Sequence, residues 1–450
     1  MLGKILKLLR GARFAPLGGL LLLSIGLLFF LEPVVQNGDS AVYNEQVDQR
    51  DLGNRTTHFG YILLGVIARA LLPGTTDLVM NLMTLVLGLT GLVAIYFVSY
   101  KLTESRLASS FAALAVLCIP SYFRGSVVSE VDVPLAALIC CTYGLATYGK
   151  PVAAGLVYGL TILVSPLAAL ALPALLLALI WSIPKGAGFR GYLKWIALFG
   201  VASLLVYAPV VLLNWQDYVH GGRGILHAPR HRFDLATHAR RSLTFVNRDV
   251  FVLLPLWFLG AVVAITRRRY AAVAVPVLCG VVSMLFGERF VDVPVQLPTA
   301  ALFAPLIAIA VTYERLAFRV PALAAAAAAV VWNAIPAHEA TQAEIAKLRR
   351  QRELFLHVKS SQPPPLIVHA RGFTEMRVAE RIAFGQTYND RVLTAHDFKR
   401  RCRAIARSPQ PPTIWYLRSP FRFPCKELEQ RYRMSRRRVG GIAYHVSTPQ

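Results

Sequence analysis

Charged residues are scarce in this sequence, and acidic residues are scarcer than basic ones. Only 16% of the 450 residues are charged, and 24 Asp and Glu stand against 48 Lys and Arg. Soluble domains usually contain about 25% charged residues, whereas 55% of this chain is hydrophobic and its mean hydropathy is +0.50. These values exclude an ordinary soluble globular domain.

Motifs that bind nucleotides or structural metals are also missing. The C-terminal region has neither a G-x-G-x-x-G nor a G-x-x-x-x-G-K-[ST] segment, and no C-x-x-C or Cys/His spacing indicates a structural zinc site. Four of the six cysteines lie in apolar runs. The other two, Cys402 and Cys425, could form a disulfide if the C-terminal region faces an oxidising compartment.

The apolar residues are grouped in runs long enough to cross a membrane. A helix of about 20 apolar residues spans the ~30 Å hydrocarbon core, and the runs predict an all-α polytopic membrane protein with about eleven transmembrane helices. The net charge is +24, and most basic residues lie in short loops or in the C-terminal region. That distribution indicates contact with membrane lipids and no nucleic acid partner.

The chain is predicted to have two domains. Residues 1–336 form the transmembrane domain, with a first outer loop at 36–73 that contains interfacial helices and a long outer loop at 214–249. The basic N-terminal segment should stay in the cytoplasm by the positive-inside rule. Alternation from there places residues 337–450 outside, where short apolar strands alternate with helical patterns and predict a small α/β extracytoplasmic domain.

Acidic residues kept at the predicted outer face are the first candidates for chemistry. Asp39 lies in a Gly-Asp-Ser turn beyond the first span, where a partly desolvated carboxylate can act as a general base. Glu130 and Asp132 open a predicted transmembrane helix. The alternatives are a solvated loop for the first acid and complementarity to the helix dipole for the other two.

Basic residues at the outer face form a second group of candidates. Arg289 lies between two acids at a predicted helix end, where it could form an interfacial ion pair or clamp a phosphate bidentately. The long outer loop adds further cations, including Arg241, that could recruit an anionic lipid or remain merely solvated.

The arrangement resembles the GT-C superfamily of membrane glycosyltransferases. The similarity rests on an early Asp-Ser in the first outer loop, the segment His58-Phe59-Gly60-Tyr61 that enters an apolar helix, and the later acidic turn. It covers roughly residues 1–215 and is closest to bacterial relatives of protein O-mannosyltransferases and lipid A aminoarabinose transferases. The chain departs from the family pattern in having Phe59 and no proline pair after His58.

The resemblance implies a glycosyltransferase whose sugar donor is linked to a polyprenyl phosphate. By position, Asp39 matches the family's catalytic acid, and Glu130 or Asp132 matches the second acidic position. Tyr43 and Tyr61 are expected to position the substrate. The residues expected to bind the donor phosphate are Arg55, His58, Arg241 and Arg289.

Several features of this function stay open at the level of the sequence. The acceptor could be a lipid, a glycan or a protein, and the acids could hold a divalent cation, although no metal site is assigned. The composition favours a bacterial inner membrane, with the active site and the C-terminal domain facing the periplasm. A lipid or solute transporter or flippase is the alternative, but transporters usually place ionisable residues near the middle of the bilayer.

Overall fold

The protein is mostly helical and contains one small sheet. The computed structural model describes residues 38–50, 58–184, 186–213, 242–286, 293–313, 316–361, 365–369, 391–417, 425–439 and 442–449, together with Trp215 and Phe384. The first predicted span and most of the long outer loop lie outside these residues.

Helices account for most of the described chain. In chain order they are α1 Gly38–Gln49, α2 Phe59–Leu71, α3 Thr76–Thr103, α4 Arg106–Leu117, α5 Pro120–Gly125, α6 Asp132–Thr147, α7 Pro151–Val164, α8 Leu172–Ser182, α9 Gly188–Leu213, α10 Leu254–Thr266, α11 Ala271–Phe286, α12 Val293–Val311, α13 Leu316–Ser360, α14 Ala395–Arg407 and α15 Lys426–Arg431. The strands are β1 Leu366–His369, β2 Val392–Thr394, β3 Ile414–Leu417, β4 Tyr432–Val439 and β5 Ile442–Pro449.

The described residues fall into two compact units. The helical unit contains residues 58–73 and 79–340. The sheet unit contains residues 38–50 and 74–78 together with the described part of 341–450. The second unit therefore combines a helix of the first outer loop with the C-terminal region.

Apolar helices confirm that the chain is an integral membrane protein. Four helical segments are long and apolar enough to cross a membrane, and seven shorter apolar helices accompany them in the described part of the chain. The predicted count of about eleven spans stays a prediction. Helix α2 has 13 residues and is therefore about 20 Å long, which is too short to cross a bilayer alone and fits the interfacial position predicted for it.

Two segments differ from the expected boundaries. The helical segment Ser242–Thr266 begins inside the predicted outer loop and includes a π-helical turn, Val246–Val250, before α10. Helix α13 joins the predicted last span and the following polar helix into one helix of 45 residues. Local hydropathy does not reveal either continuation, because the backbone hydrogen bonds of a helix continue when the side chains change from apolar to polar.

Two glycines allow α7 and α9 to approach closely. A Cβ atom on Gly155 would lie 2.3 Å from the Phe199 carbonyl oxygen, and one on Gly159 would lie 2.4 Å from that of Ser203. The Ser203 hydroxyl also donates to the Gly155 carbonyl at 3.0 Å. Small residues spaced by four produce such backbone contact between membrane helices, where dispersion and hydrogen bonds replace the hydrophobic effect.

The sheet unit has a five-stranded mixed sheet in the order β2-β1-β3-β5-β4. The first three strands are parallel, whereas β5 is antiparallel to both β3 and β4. One apolar cluster on this sheet includes Trp415, Tyr444 and residues near the end of α13. The other includes Val368 and residues of α14 and α15. This architecture confirms the small C-terminal sheet expected from the alternating pattern.

A disulfide joins two segments on the face of the sheet that α14 and α15 cover. Cys402 of α14 bonds to Cys425, which immediately precedes α15, and their Cα atoms are 6.3 Å apart. The remaining four cysteines are free thiols in the helical unit. The structure therefore pairs the two cysteines for which the sequence left a disulfide open.

The close approach of α7 and α9 predicts opposite effects for two glycine substitutions. Gly159→Ala should lower the free energy of unfolding by about 1–3 kcal/mol, because its methyl group overlaps a backbone carbonyl that cannot move freely. Gly200→Ala is the matched control in α9, since its Cβ meets nothing within 4 Å, and it should be neutral or slightly stabilising. Thermal unfolding of the detergent-solubilised protein measures both, and equal behaviour of the two variants would contradict the packing argument.

Candidate active site

His58 holds the start of α2 against the end of α7. Its Nδ1 lies 2.8 Å from the Val164 carbonyl oxygen. Helix α7 ends there because Ser165 is extended and Pro166 follows, so this carbonyl is among those that lack a partner within the helix. A carbonyl can only accept, so His58 Nδ1 carries the proton, and in the neutral imidazole Nε2 is the acceptor nitrogen.

The next residues of the same segment also have identifiable roles. A Cβ on Gly60 would lie 2.7 Å from backbone and side-chain atoms of Leu163, so only glycine allows α2 to approach α7 this closely. Tyr61 is fully buried, and its hydroxyl oxygen lies 2.7 Å from Thr84 Oγ1. Because the Thr84 hydroxyl donates to the Met80 carbonyl at 3.0 Å, Tyr61 is the donor to Thr84.

The predicted acidic pair lies in the electrostatic environment of Tyr61. Burial raises the pKa of Tyr61 well above its usual range, and the carboxylates of Glu130 and Asp132 raise it further. Both acids are partly buried, and Asp132 is the first residue of α6. Favourable interaction with the helix dipole explains an acid at that position. Glu130 and Asp132 thus lie within electrostatic range of Tyr61, while His58 precedes the same helix as Tyr61.

Two further predicted residues of the first outer loop belong to the sheet unit. Asp39 lies in the first turn of α1, and Tyr43, one turn later, is buried with an exposure of 5%. Helix α1 is polar yet largely buried, and Ala41 packs in the same apolar cluster as Trp415.

Two polar contacts fix α1 to the start of α3. Asn44 Nδ2 donates to Asp77 Oδ1 at 2.6 Å, and the Thr76 hydroxyl donates to the Asp48 carboxylate. Both contacts lie within the sheet unit. The first acidic segment is thus part of a packed unit, which local sequence pattern does not reveal.

Three of the predicted phosphate-binding residues, Arg55, Arg241 and Arg289, lie outside the described residues. Within the described ranges, no three His, Cys, Asp or Glu side chains gather in a group that could hold a metal ion. Divalent-ion binding accordingly remains an expectation that the contacts of the described residues do not support.

A buried polar cluster at the start of the Ser242–Thr266 segment was missed by the sequence analysis. The Asp249 carboxylate is fully buried and accepts from the Ser121 amide and hydroxyl at 3.0 and 2.8 Å. It also accepts from Arg248 Nε at 2.8 Å and lies 2.7 Å from Arg248 Nη2. Arg248 is 54% exposed, so one edge of its guanidinium is fixed by Asp249 while the side chain remains accessible.

Together, the apolar helices and the small C-terminal sheet define an integral membrane protein. The chain is similar to ArnT from Cupriavidus metallidurans, a GT-C aminoarabinose transferase, over nearly its whole length. A crystal structure of ArnT bound to undecaprenyl phosphate gives a TM-score of 0.64 at 12% identity, covering 98% of this chain and 100% of ArnT. The apo structure gives 0.62 at 14% identity, covering 97% and 100%. No protein-family model and no curated protein matches the sequence.

These similarities confirm the predicted GT-C resemblance at the level of the fold. The similarity extends beyond residues 1–215, to which the sequence motifs were confined, and includes the C-terminal region.

The Arg248–Asp249 pair predicts a measurable coupling energy. Arg248→Gln leaves a buried carboxylate without its counter-charge, and Asp249→Asn leaves the guanidinium without an anionic partner, so each should be destabilising. In the double variant the second substitution should cost less, with a coupling of about 1–3 kcal/mol. Thermal unfolding of the four proteins completes the cycle. Additive effects would show that the pair does not stabilise the fold as a unit.

Proposed function

We propose that this chain is a GT-C type glycosyltransferase that moves a sugar from a polyprenyl-phosphate donor to an acceptor on the extracytoplasmic face of the membrane. The observation that carries the proposal is the fold shared with ArnT over 98% of the chain, since ArnT was captured with undecaprenyl phosphate. The acceptor is a lipid, a glycan or a protein.

The proposed reaction is a displacement at the anomeric carbon of the sugar. An acceptor hydroxyl oxygen forms the new C–O bond, the bond between the anomeric carbon and the phosphate oxygen breaks, and the polyprenyl phosphate leaves with the bonding electrons. Asp39 takes the proton of the attacking hydroxyl as general base. Its match by position to the catalytic acid of the family that the sequence resembles supports this role.

Glu130 and Asp132 are proposed to orient sugar or acceptor hydroxyls by accepting hydrogen bonds. Their partial burial and their electrostatic interaction with Tyr61 support this role, because partly desolvated carboxylates are strong hydrogen-bond acceptors. Tyr61 donates its hydroxyl hydrogen to Thr84, so it is proposed to position the substrate indirectly, through the packing of α2. Tyr43 is proposed to support the same helix turn as Asp39.

The leaving phosphate requires positive charge, and stabilisation of developing charge is often the largest catalytic contribution. Arg55, His58, Arg241 and Arg289 are proposed for this role from the sequence. Arg248 is a further candidate, because Asp249 fixes its orientation and its guanidinium remains accessible. A guanidinium suits this task because it presents paired N–H donors to phosphate oxygens.

We propose that the sheet unit and α1 face an oxidising compartment, which in a bacterium is the periplasm. The Cys402–Cys425 disulfide supports this orientation, since such bonds persist in the periplasm and are reduced in the cytosol. The positive-inside distribution of the loops agrees with it.

The first test is transfer of radiolabelled sugar from a panel of polyprenyl-phosphate donors in membranes that contain matched amounts of each variant. Asp39→Asn should lower the rate by about 10²–10⁴-fold, the usual contribution of a general base. Glu130→Gln and Asp132→Asn should each lower it by a smaller factor. Glu104→Gln is the control, because Glu104 is an exposed acid at the predicted cytoplasmic end of α3 and its loss should leave the rate unchanged.

Retained transfer by Asp39→Asn would remove Asp39 from the proposed mechanism. If wild-type membranes transfer no sugar from any donor, the alternative of a lipid or solute transporter gains weight, and translocation in vesicles is then the measurement.

The orientation has a separate test that does not require a substrate. Protein purified from bacterial membranes, denatured and treated with a mass-tagged maleimide should gain four tags, because four cysteines are free. Reduction before labelling should raise the number to six, the total in the sequence. Six tags without reduction would place Cys402 and Cys425 in a reducing compartment and contradict the proposed orientation.

A further inference from the structure

Much of the positive charge of the chain lies in its C-terminal region. Residues 341–450 contain 22 Lys and Arg against eight Asp and Glu, a net charge of +14 out of +24 for the whole chain. About a quarter of the length thus carries more than half of the net charge, and the sugar transfer proposed above does not account for that excess.

Strand β4 carries the most concentrated part of this charge. It lies at the edge of the sheet, and Arg433, Arg436, Arg437 and Arg438 are all exposed. Arg436 pairs with His445, Arg437 with Tyr444 and Arg438 with Ala443 in the strand register. Since alternate residues face opposite sides of a sheet, three consecutive arginines put cations on both sides of the strand edge. No ion pair to these four arginines is found among the described residues.

The ladder of β4 and β5 closes at the pair Val439 and Ile442, directly after the three arginines. We call Arg436, Arg437 and Arg438 the hairpin end. Protection of an exposed edge against aggregation explains a charge on β4. It does not explain three consecutive arginines.

Anionic phospholipid headgroups match this group of arginines. Guanidinium groups bind lipid phosphates bidentately. The chain that carries β4 also has helices long and apolar enough to cross a membrane, so such headgroups are present where the protein resides.

We propose that the hairpin end docks onto the anionic phospholipid headgroups of the membrane that the chain spans. The contact is made by the charge on both sides of β4. This inference is independent of sugar transfer, so its failure would leave the proposed function unaffected, and the reverse also holds.

The test uses the full-length protein in lipid nanodiscs. Ser435, exposed on β4 beside the hairpin end, is replaced by cysteine and labelled with bimane, and the parent protein treated with bimane in the same way measures the background from its native thiols. Nitroxide-bearing lipid headgroups should quench the label in discs rich in phosphatidylglycerol and much less in phosphatidylcholine discs. High salt should weaken the quenching, because the charges are exposed.

Neutralising the three arginines should undock the hairpin end. R436Q/R437Q/R438Q should lower the ratio of docked to undocked protein by about a hundredfold, or about fivefold per arginine. K399Q/R400Q/R401Q removes the same charge from exposed positions on α14 and should leave most of the quenching in place. Intact Cys402–Cys425 disulfides and unchanged thermal unfolding confirm that both variants are folded.

Three results would overturn the proposal. Equal quenching in the two kinds of disc would show that anionic lipid is not recognised. Equal loss in both triple variants would show that net charge, and not the hairpin end, determines the position of the unit. If soluble polyphosphate binds at the labelled hairpin end and the nitroxide lipids do not quench the label, the partner is a soluble polyanion instead.

Discussion

Lipid offers no hydrogen bonds to a backbone, so each place where a membrane helix stops must find its partners inside the protein. The end of α7 shows how this constraint organises the helical unit. The carbonyl of Val164 is satisfied by the His58 ring, which starts α2, and Gly60 lets the two helices touch at that point. Tyr61 is then buried beside Thr84 and within the field of two carboxylates. One helix break thus fixes the position of the polar groups around it.

Much of this architecture was accessible from the sequence, because long apolar runs report directly on burial in lipid. The small sheet was also predicted, because β1, β2, β3 and β5 are among the short apolar stretches of the C-terminal region. Strand β4 was not. Its arginines lie at the edge of the sheet, where neither face is fully covered, so the strand lacks the alternation of apolar and polar residues that identifies half-buried strands.

The candidate site likewise has a part that the sequence predicts and a part that it does not. The acids at Asp39, Glu130 and Asp132 and the segment from His58 to Tyr61 stood out because charges and a motif at helix ends are local signals. The Arg248–Asp249 cluster had no such signal. The role of Asp249 depends on its hydrogen bonds with Ser121, which lies 128 residues away in the chain. A single sequence does not show contacts at that distance. Its adjacent arginine and aspartate resemble any solvated pair in a loop.

The sheet unit is discontinuous in sequence, and that has a consequence for biosynthesis. Helix α1 emerges from the ribosome early, but the cluster in which Ala41 packs also needs Leu354, Trp415 and Tyr444, about 300 residues or more later. During translation the side of α1 that bears Ala41 therefore lacks these partners while the intervening helices are made, although Asn44 and Asp48 can already contact Asp77 and Thr76. Completion of this unit is a late, long-range step, and a chain that stalls or is cut before β5 would leave α1 without part of its apolar packing. Quality control of the nascent protein can therefore act on its first outer loop through events at its opposite end.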